Sequence, residues 1–366
     1  MKILTGMSGG VDSSVAAAML KEAGHEVIGA TMAIWGDKGV HKKLKEQAEK
    51  AGRKPTHGAC YGPDEKEDIE AAREVCKQLD IPFYVFDCAE QYEKIVLENF
   101  KHEYLAGRTP NPCVLCNALI KFGVLPELAR MNGIEFDKFA TGHYAKIEQD
   151  ENGRYLLKQG ISPKKDQSYF LYRLKPEQLK NIILPLGDRT KEEIRDYALK
   201  HGLKVAQKPD SQDFYEGDYN ELLEVKPKAG NIVDKEGNIL GTHEGIWNYT
   251  IGQRKGIGIA AKEALYVTEL RKDTNEVVVG FKDDTMTDEI FAYDLNKIVE
   301  EKFETPFECS AKIRSSQPPE PVTVTPCEDG RLKIKFENMQ KSIAQGQSIV
   351  FYDKNVVLGG GIMQKA

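Results

Sequence analysis

The sequence predicts an α/β protein, with a doubly wound parallel sheet at the amino end followed by a small β-rich central domain and a β-barrel. Three observations predict it. Lys2-Ile3-Leu4 reads as a short buried strand, residues 6–14 as a turn, and Val15 to Leu20 as an alanine-rich helix. Strand and helix then alternate over roughly 200 residues, the pattern of βαβ units. From about Ala206 the helical periods give way to short strands with Gly-rich turns. A chain of 366 residues exceeds what one core usually serves, and these shifts divide it into 1–205, 206–284 and 285–366.

The turn Gly6-Met7-Ser8-Gly9-Gly10-Val11-Asp12-Ser13-Ser14 organises the first domain. Glycines let the backbone approach an anion, serine hydroxyls donate to it, and the following helix turns free N–H groups and partial positive charge toward it. This reads as a phosphate-binding loop. It lacks the Gly-Lys-Ser/Thr ending of a Walker A loop, and no lysine lies inside it.

His25 to Trp35 has the apolar content of a second buried strand. The lysine-rich Lys38 to Lys54 follows and reads as solvated surface rather than an RNA contact, as charge runs usually do. Asp64 to Leu79 starts acidic and carries Ile69, Ala72, Val75, Cys76 and Leu79 at helical spacing, which assigns Cys76 to the core. Ile81 to Cys88 is a third strand and Gln91 to Leu105 a helix. After the turn-rich Ala106 to Pro112, Cys113-Val114-Leu115-Cys116-Asn117 runs into a helix through Phe122, Leu125 and Leu128. Asp137 to His143 is a fourth strand, Tyr144 to Gly160 a hairpin turned at Glu151-Asn152-Gly153, and helices at about Pro176 to Ile182 and Lys191 to His201 close the domain.

A doubly wound sheet binds its ligand beyond the carboxyl ends of its strands. The opening loop, Cys60, Cys113, Cys116 and Gly142-His143 all follow strands or the loops above them. In the central domain a polar loop, Lys208 to Asp213, precedes turns at Asp234 to Gly237 and Ile251 to Gly258. The last domain alternates at Val322 to Val324, Leu332 to Phe336, Ser348 to Tyr352 and Asn355 to Leu358, as strands of a small barrel.

Hydrophobic content of 40% and charged content of 30% describe a soluble globular protein. No apolar run approaches the ~20 residues that cross a bilayer, and no secretory signal precedes the first strand, so the expectation is a cytoplasmic protein with no membrane partner. Seven cysteines, an odd number without an export signal, argue against a disulfide framework. A net charge of −6 means that any nucleic-acid partner is held by local basic patches.

Cys113 and Cys116 form a Cys-x-x-Cys at a helix start, where a thiol's pKa falls. A redox dithiol, two ligands of a zinc or iron-sulfur site, and a nucleophile with a helper all remain open. Cys309 and Cys327 are too far apart in sequence for a second zinc pair and read as structural thiols. His143, after a strand-end glycine, has the placement of a ligand-contacting residue, and a structural histidine is the equal alternative.

Taken together these segments resemble the tRNA-specific 2-thiouridylase family over Lys2 to Met363. The resemblance rests on residues 6–14, Ala106 to Pro112 leading to Cys116-Asn117, Ala140 to Tyr144, Lys165 to Ser168, Lys208 to Ser211, Tyr249 to Arg254, Gly346-Gln347 and Leu358 to Gly361. It implies a PP-loop ATP-pyrophosphatase domain of the adenine nucleotide alpha hydrolase-like kind. ATP adenylates the C2 oxygen of the wobble uridine and sulfur then displaces AMP. It implies ATP and Mg²⁺ at Gly6, Met7, Ser8, Gly9, Gly10, Val11, Asp12 and Ser13, with Met32 and Gly142 on the adenosine. Asn111, Pro112 and Cys113 face the target base; His143, Lys165, Asp166, Gln167, Arg314, Ser315 and Gln347 contact tRNA. Cys116 takes the nucleophile's position, with Asp12 and Cys113 in the catalytic set. The implied partners of a monomer are tRNA and a sulfur donor.

Two positions depart from the family. Cys113 replaces the usual aspartate, and Tyr215 stands where a second catalytic cysteine is usual. Tyrosine carries no sulfur, so either Cys113 takes the missing thiol's part or a [4Fe-4S] cluster sits on Cys60, Cys113 and Cys116, with Cys88 in reserve. The cluster is the expectation carried forward. Two rivals stand beside this reading: an ATP-pyrophosphatase ligase of small molecules, and a non-catalytic tRNA- or nucleotide-binding protein.

Overall fold

The computed structural model describes residues 1–36, 59–210, 213–215 and 217–365. The Lys38 to Lys54 segment and Ser211 lie outside the described residues. The chain forms two compact units: Met1–Leu97 with Pro112–Tyr219 and Asn355–Val357, and Glu98–Asn111 with Asn220–Lys354 and Leu358–Ala366.

The first unit is built on strands β1 (Lys2–Gly6), β2 (Glu26–Ala33), β3 (Phe83–Asp87) and β4 (Lys138–Ala140), a hairpin of β5 (Ala145–Gln149) and β6 (Tyr155–Gln159), and β7 (Ile182–Ile183). Five of these make a parallel sheet in the order β3-β2-β1-β4-β7, with Ile3 opposite both Val27 and Lys138. Ile3, Leu4 and Thr5 are fully buried, as a central parallel strand covered on both faces requires.

Helix α1 (Val11–Glu22) lays Val11, Val15, Ala16 and Ala17 on the sheet, the small side chains permitting close approach. Helix α2 (Glu65–Gln78) adds Ala72, Val75 and Cys76 to the same core, confirming Cys76 as a packing residue. Helix α3 (Pro112–Met131) is a π-helix over its middle nine residues, Cys116–Val124. It has the length and mean apolarity of a membrane-crossing helix, but Asn117, Lys121, Glu127 and Arg130 interrupt its apolar residues and half of the stretch is buried within the protein. Helix α4 (Lys191–Lys200) begins with a capping box, Thr190 Oγ1 accepting from the Glu193 N–H while the Glu193 carboxylate accepts from the Thr190 N–H.

One expected helix ends early. It stops at Leu179, and Ile182–Ile183 instead forms the edge strand, pairing with Phe139 and Ala140. Two residues show no alternation to read, and their pairing depends on β4, some forty positions upstream.

The second unit holds a four-stranded sheet and a barrel. The sheet, of β8 (Gly230–Val233), β9 (Ile239–His243), β10 (Tyr266–Arg271) and β11 (Glu276–Gly280), runs in the order β10-β11-β8-β9 around Ile232, Val267, Val277 and Val279. Strands β12 (Met286–Lys297), β13 (Phe307–Lys312), β14 (Glu320–Pro326), β15 (Leu332–Lys341), β16 (Ser348–Asp353) and β17 (Val356–Lys365) follow as β12-β15-β14-β13-β16-β17. Pairing of β12 with β17 closes this ring, leaving no free edge.

Candidate active site

At the carboxyl end of β1 the chain turns through residues 7–10 into α1. Ser13 Oγ accepts from the Ser8 N–H at 3.1 Å and Ser14 Oγ donates to Gly10 O at 2.8 Å. Gly10, the N-cap residue, supplies no side chain, which leaves the first-turn N–H groups of α1 for an anion. Gly9 has φ +71°, and a Cβ there would lie 2.2 Å from Asp68 O. Gly142 supports the loop from the other side; its Cβ would lie 2.6 Å from Asp12 C and Ser13 N. Both glycines are demanded by backbone approaching backbone.

The loop opens into a cavity of about 790 Å³ bounded also by Met32, Cys60, Pro112, Cys113, Cys116, Gly142, His143, Lys165 and Gln167. Most sequence-predicted residues of the first unit therefore share one space. Six carboxylates, Asp12, Asp64, Glu65, Asp68, Asp210 and Asp213, face three lysines, Lys121, Lys165 and Lys208. A polyphosphate entering here needs cations with it.

Asp12 is held from behind. Lys191 Nζ donates to its two oxygens at 2.7 and 2.9 Å and the Tyr144 hydroxyl donates at 2.7 Å, while Lys191 also reaches Asp210 at 2.7 Å. Burial pushes the Asp210 carboxyl up, and Lys165 and Lys191 more than offset this, holding it below the ordinary carboxylate range. Burial, with Asp12 alongside, pushes the Tyr144 hydroxyl up, so it remains a donor. Replacing the buried Lys191 with methionine leaves two carboxylates facing each other; the expected cost is about 3 kcal/mol of unfolding free energy, read from denaturant titration.

Three thiols line the cavity. Cys113 and Cys116 lie in the first turns of α3, and Cys60 follows an isolated bridge between Ala59 and Asp213. The Cys60 N–H donates to Asp213 O at 3.2 Å and the Tyr61 N–H to Phe214 O at 3.1 Å, which sets Cys60 beside the segment leading to Tyr215. Tyr215 is buried in an aromatic wall, 6.1 Å from Tyr61, which stacks on Tyr92 and Phe214.

The expected acidic thiols are corrected. Burial pushes Cys116 up to about 12, Lys121 only partly opposing it, and pushes Cys113 higher still. Cys60 keeps solvent contact through the cavity, yet protein packed around its sulfur raises it too. Desolvation outweighs the partial charge of a helix end. Among the described residues no three His, Cys, Asp or Glu side chains stand together as a metal site. As placed, the thiols therefore do not form the expected cluster site on Cys60, Cys113 and Cys116. Cys88 is fully buried and does not line the cavity, so it does not fit as the reserve ligand.

Other predicted residues divide. His143 is buried, its Nδ1 2.7 Å from Thr141 Oγ1; burial and Lys121 hold it neutral. Lys165 donates to Asp210 at 2.8 Å, and Gln167 accepts from the Tyr144 N–H at 2.9 Å. Asp166 turns inward instead: it is buried and accepts from Gln159, Gly160 and both the N–H and hydroxyl of Ser168. Its carboxylate holds its own loop rather than facing the cavity. In the second unit, Gln347 donates to Pro110 O at 2.9 Å and accepts from Asn111 at 3.5 Å. Arg314 donates to Ser342 O at 2.6 Å, and Ser315 beside it is partly exposed.

Comparison with known proteins then decides the family. Three family models match in succession: the tRNA methyl transferase HUP domain over residues 1–215, the tRNA methyl transferase PRC-barrel domain over 221–281 and the aminomethyltransferase beta-barrel domain over 287–363. The tRNA-specific 2-thiouridylase MnmA of Endomicrobium trichonymphae is 48% identical, with 99% of each chain covered. That of Clostridium botulinum (strain Alaska E43 / Type E3) is 46% identical over 99% of this chain and 98% of its own. That of Geotalea uraniireducens (strain Rf4) is 45% identical over 100% and 95%. The chain belongs to the tRNA-specific 2-thiouridylase family.

Sequence reading of this thiouridylase-family chain missed Lys191, Lys208 and Lys121. Lys191 reads as one more surface lysine at a helix start. Lys208 stands in a polar loop and in a segment that carries the resemblance, with no role of its own assigned by either. Lys121 lies five residues after Cys116; i→i+5 bonding in the π-helix carries it toward the cavity, where it donates to Asn117 at 3.1 Å. Nothing in the sequence signals that bulge.

Proposed function

We propose that this chain makes 2-thiouridine in tRNA: ATP adenylates the C2 oxygen of the wobble uridine, releasing pyrophosphate, and sulfur then displaces AMP. The observation that carries this is the opening of the phosphate loop and Cys116 into one cavity. Gly6 to Ser13 take the triphosphate, with Mg²⁺ arriving on the nucleotide among the cavity carboxylates, and Met32 and Gly142 flank the adenosine. Cys116 is the nucleophile. Asn111, Pro112 and Cys113 face the base; His143, Lys165, Gln167, Arg314, Ser315 and Gln347 meet the tRNA.

Tyr215 carries no sulfur, and Cys60 and Cys113 are the cavity thiols that stand in for the missing one. Sulfur thus comes from an external persulfide donor. Its outer sulfur moves to Cys116 as the donor thiol leaves, and that sulfur bonds C2 as AMP departs. The second cavity thiol then attacks Cys116 Sγ, forming a disulfide and freeing the thiouridine. The reading keeps a cytoplasmic monomer of three domains, 1–205, 206–284 and 285–366; three successive family models accord with the number of domains, the first of them running on to residue 215.

Nucleoside mass spectrometry of tRNA from cells with and without the protein tests the function. Loss of 2-thiouridine on deletion is expected; unchanged 2-thiouridine overturns it, and AMP formation without tRNA points to a small-molecule ligase. The raised Cys116 thiol adds a pH signature. A group pushed up to about 12 stays protonated at neutral pH, so its thiolate fraction climbs about tenfold per pH unit with no plateau below pH 10. Iodoacetamide labelling of Cys116 is expected to follow that slope, and a plateau near pH 8 contradicts it.

A further inference from the structure

The phosphate loop contains no lysine, yet pyrophosphate leaving ATP develops charge that a cation must meet. Lys208 puts its ammonium against the loop's own backbone, Nζ donating to Gly9 O at 3.1 Å and to Asp68 Oδ1 at 2.6 Å. Its base is rigid: Val205 and Ala206 lie in the same core as Val11, and the Lys208 N–H donates to Val205 O at 2.9 Å. The ammonium groups of Lys165 and Lys191 are engaged by Asp210 and by the Asp12–Asp210 pair. Lys208 has one carboxylate, faces the cavity, and rises from a fixed stem beside the glycines.

We propose that Lys208 is a catalytic residue that binds the β- and γ-phosphates of ATP, and that Asp68 holds it beside Gly9 until the nucleotide arrives. The inference rests on the nucleotide reading above. The triphosphate carries more charge than the single carboxylate and draws the ammonium onto its oxygens. As the uridine O2–Pα bond forms, the bond from Pα to pyrophosphate breaks; the electron pair goes to the pyrophosphate oxygen, which Lys208 stabilises without giving up a proton.

Calorimetric binding of MgATP, pyrophosphate and AMP to the full chain tests this. Lys208→Ala is expected to weaken MgATP and pyrophosphate roughly 10- to 100-fold while leaving AMP within about twofold, because AMP lacks the contacted phosphates. Asp68→Asn, which removes the competitor, is expected to bind MgATP at least as tightly as wild type. Unchanged MgATP and pyrophosphate binding in Lys208→Ala overturns the assignment alone, and equal weakening of AMP assigns Lys208 to cavity structure instead. Wild-type protein that binds no nucleotide removes the nucleotide reading and Lys208 together.

Discussion

Cys116→Ala protein is expected to leave its tRNA without 2-thiouridine, a loss of at least about 10³-fold in thiolation, while binding MgATP within about twofold of wild type. The split follows from placement. Cys116 lines the same cavity as the loop but lies on α3, and none of the loop's hydrogen bonds pass through it. Removing its sulfur deletes the displacement of AMP without disturbing the phosphate cradle. Retention of a tenth or more of wild-type thiolation, measured by nucleoside mass spectrometry, takes the nucleophile's role from Cys116. Parallel Cys60→Ala and Cys113→Ala proteins then tell which thiol replaces the one absent at Tyr215: the variant that stalls after one turnover marks it.

Gly142→Ala is expected to lose ATP binding by an order of magnitude or more and to cost roughly 2 kcal/mol of stability. A methyl at this position meets Asp12 C and Ser13 N at 2.6 Å, and these are backbone atoms at the start of α1 with no rotamer to escape by. Relief requires the loop to shift, and Asp12 cannot follow freely while Lys191 and Tyr144 grip its carboxylate. Gly62→Ala is the contrast, since a Cβ there meets nothing within 4 Å and is expected to leave stability nearly unchanged. Isothermal titration with MgATP and thermal unfolding check both, and wild-type affinity in Gly142→Ala refutes the argument.

Much of the fold was legible because it is written locally. Alternating strand and helix periods, the Asn-Gly hairpin turn between β5 and β6, and the short strands of the barrel are patterns over ten residues or fewer. So was the loop, whose two glycines and serines sit consecutively. The missed features have no local pattern. Ile182 and Ile183 become a strand only because β4 offers an edge, and Lys191 becomes buried only because Asp12 and Asp210, from distant segments, converge on it.

The thiols mark the division most sharply. By itself the sequence determined that Cys113 and Cys116 share a helix start, that position 215 holds a tyrosine, and that no lysine lies in the loop. It could not determine their acidity, because desolvation depends on every atom packed around a sulfur; burial raises all three cavity thiols where the helix end alone argued for lowering two. Only the tertiary structure paired the backbone of Cys60 and Tyr61 with that of Asp213 and Phe214, and only the π-turn of α3 aimed Lys121 at the same space. Residue types and spacing name the chemistry, whereas solvent exclusion and long-range pairing set the protonation state and the neighbours with which it is carried out.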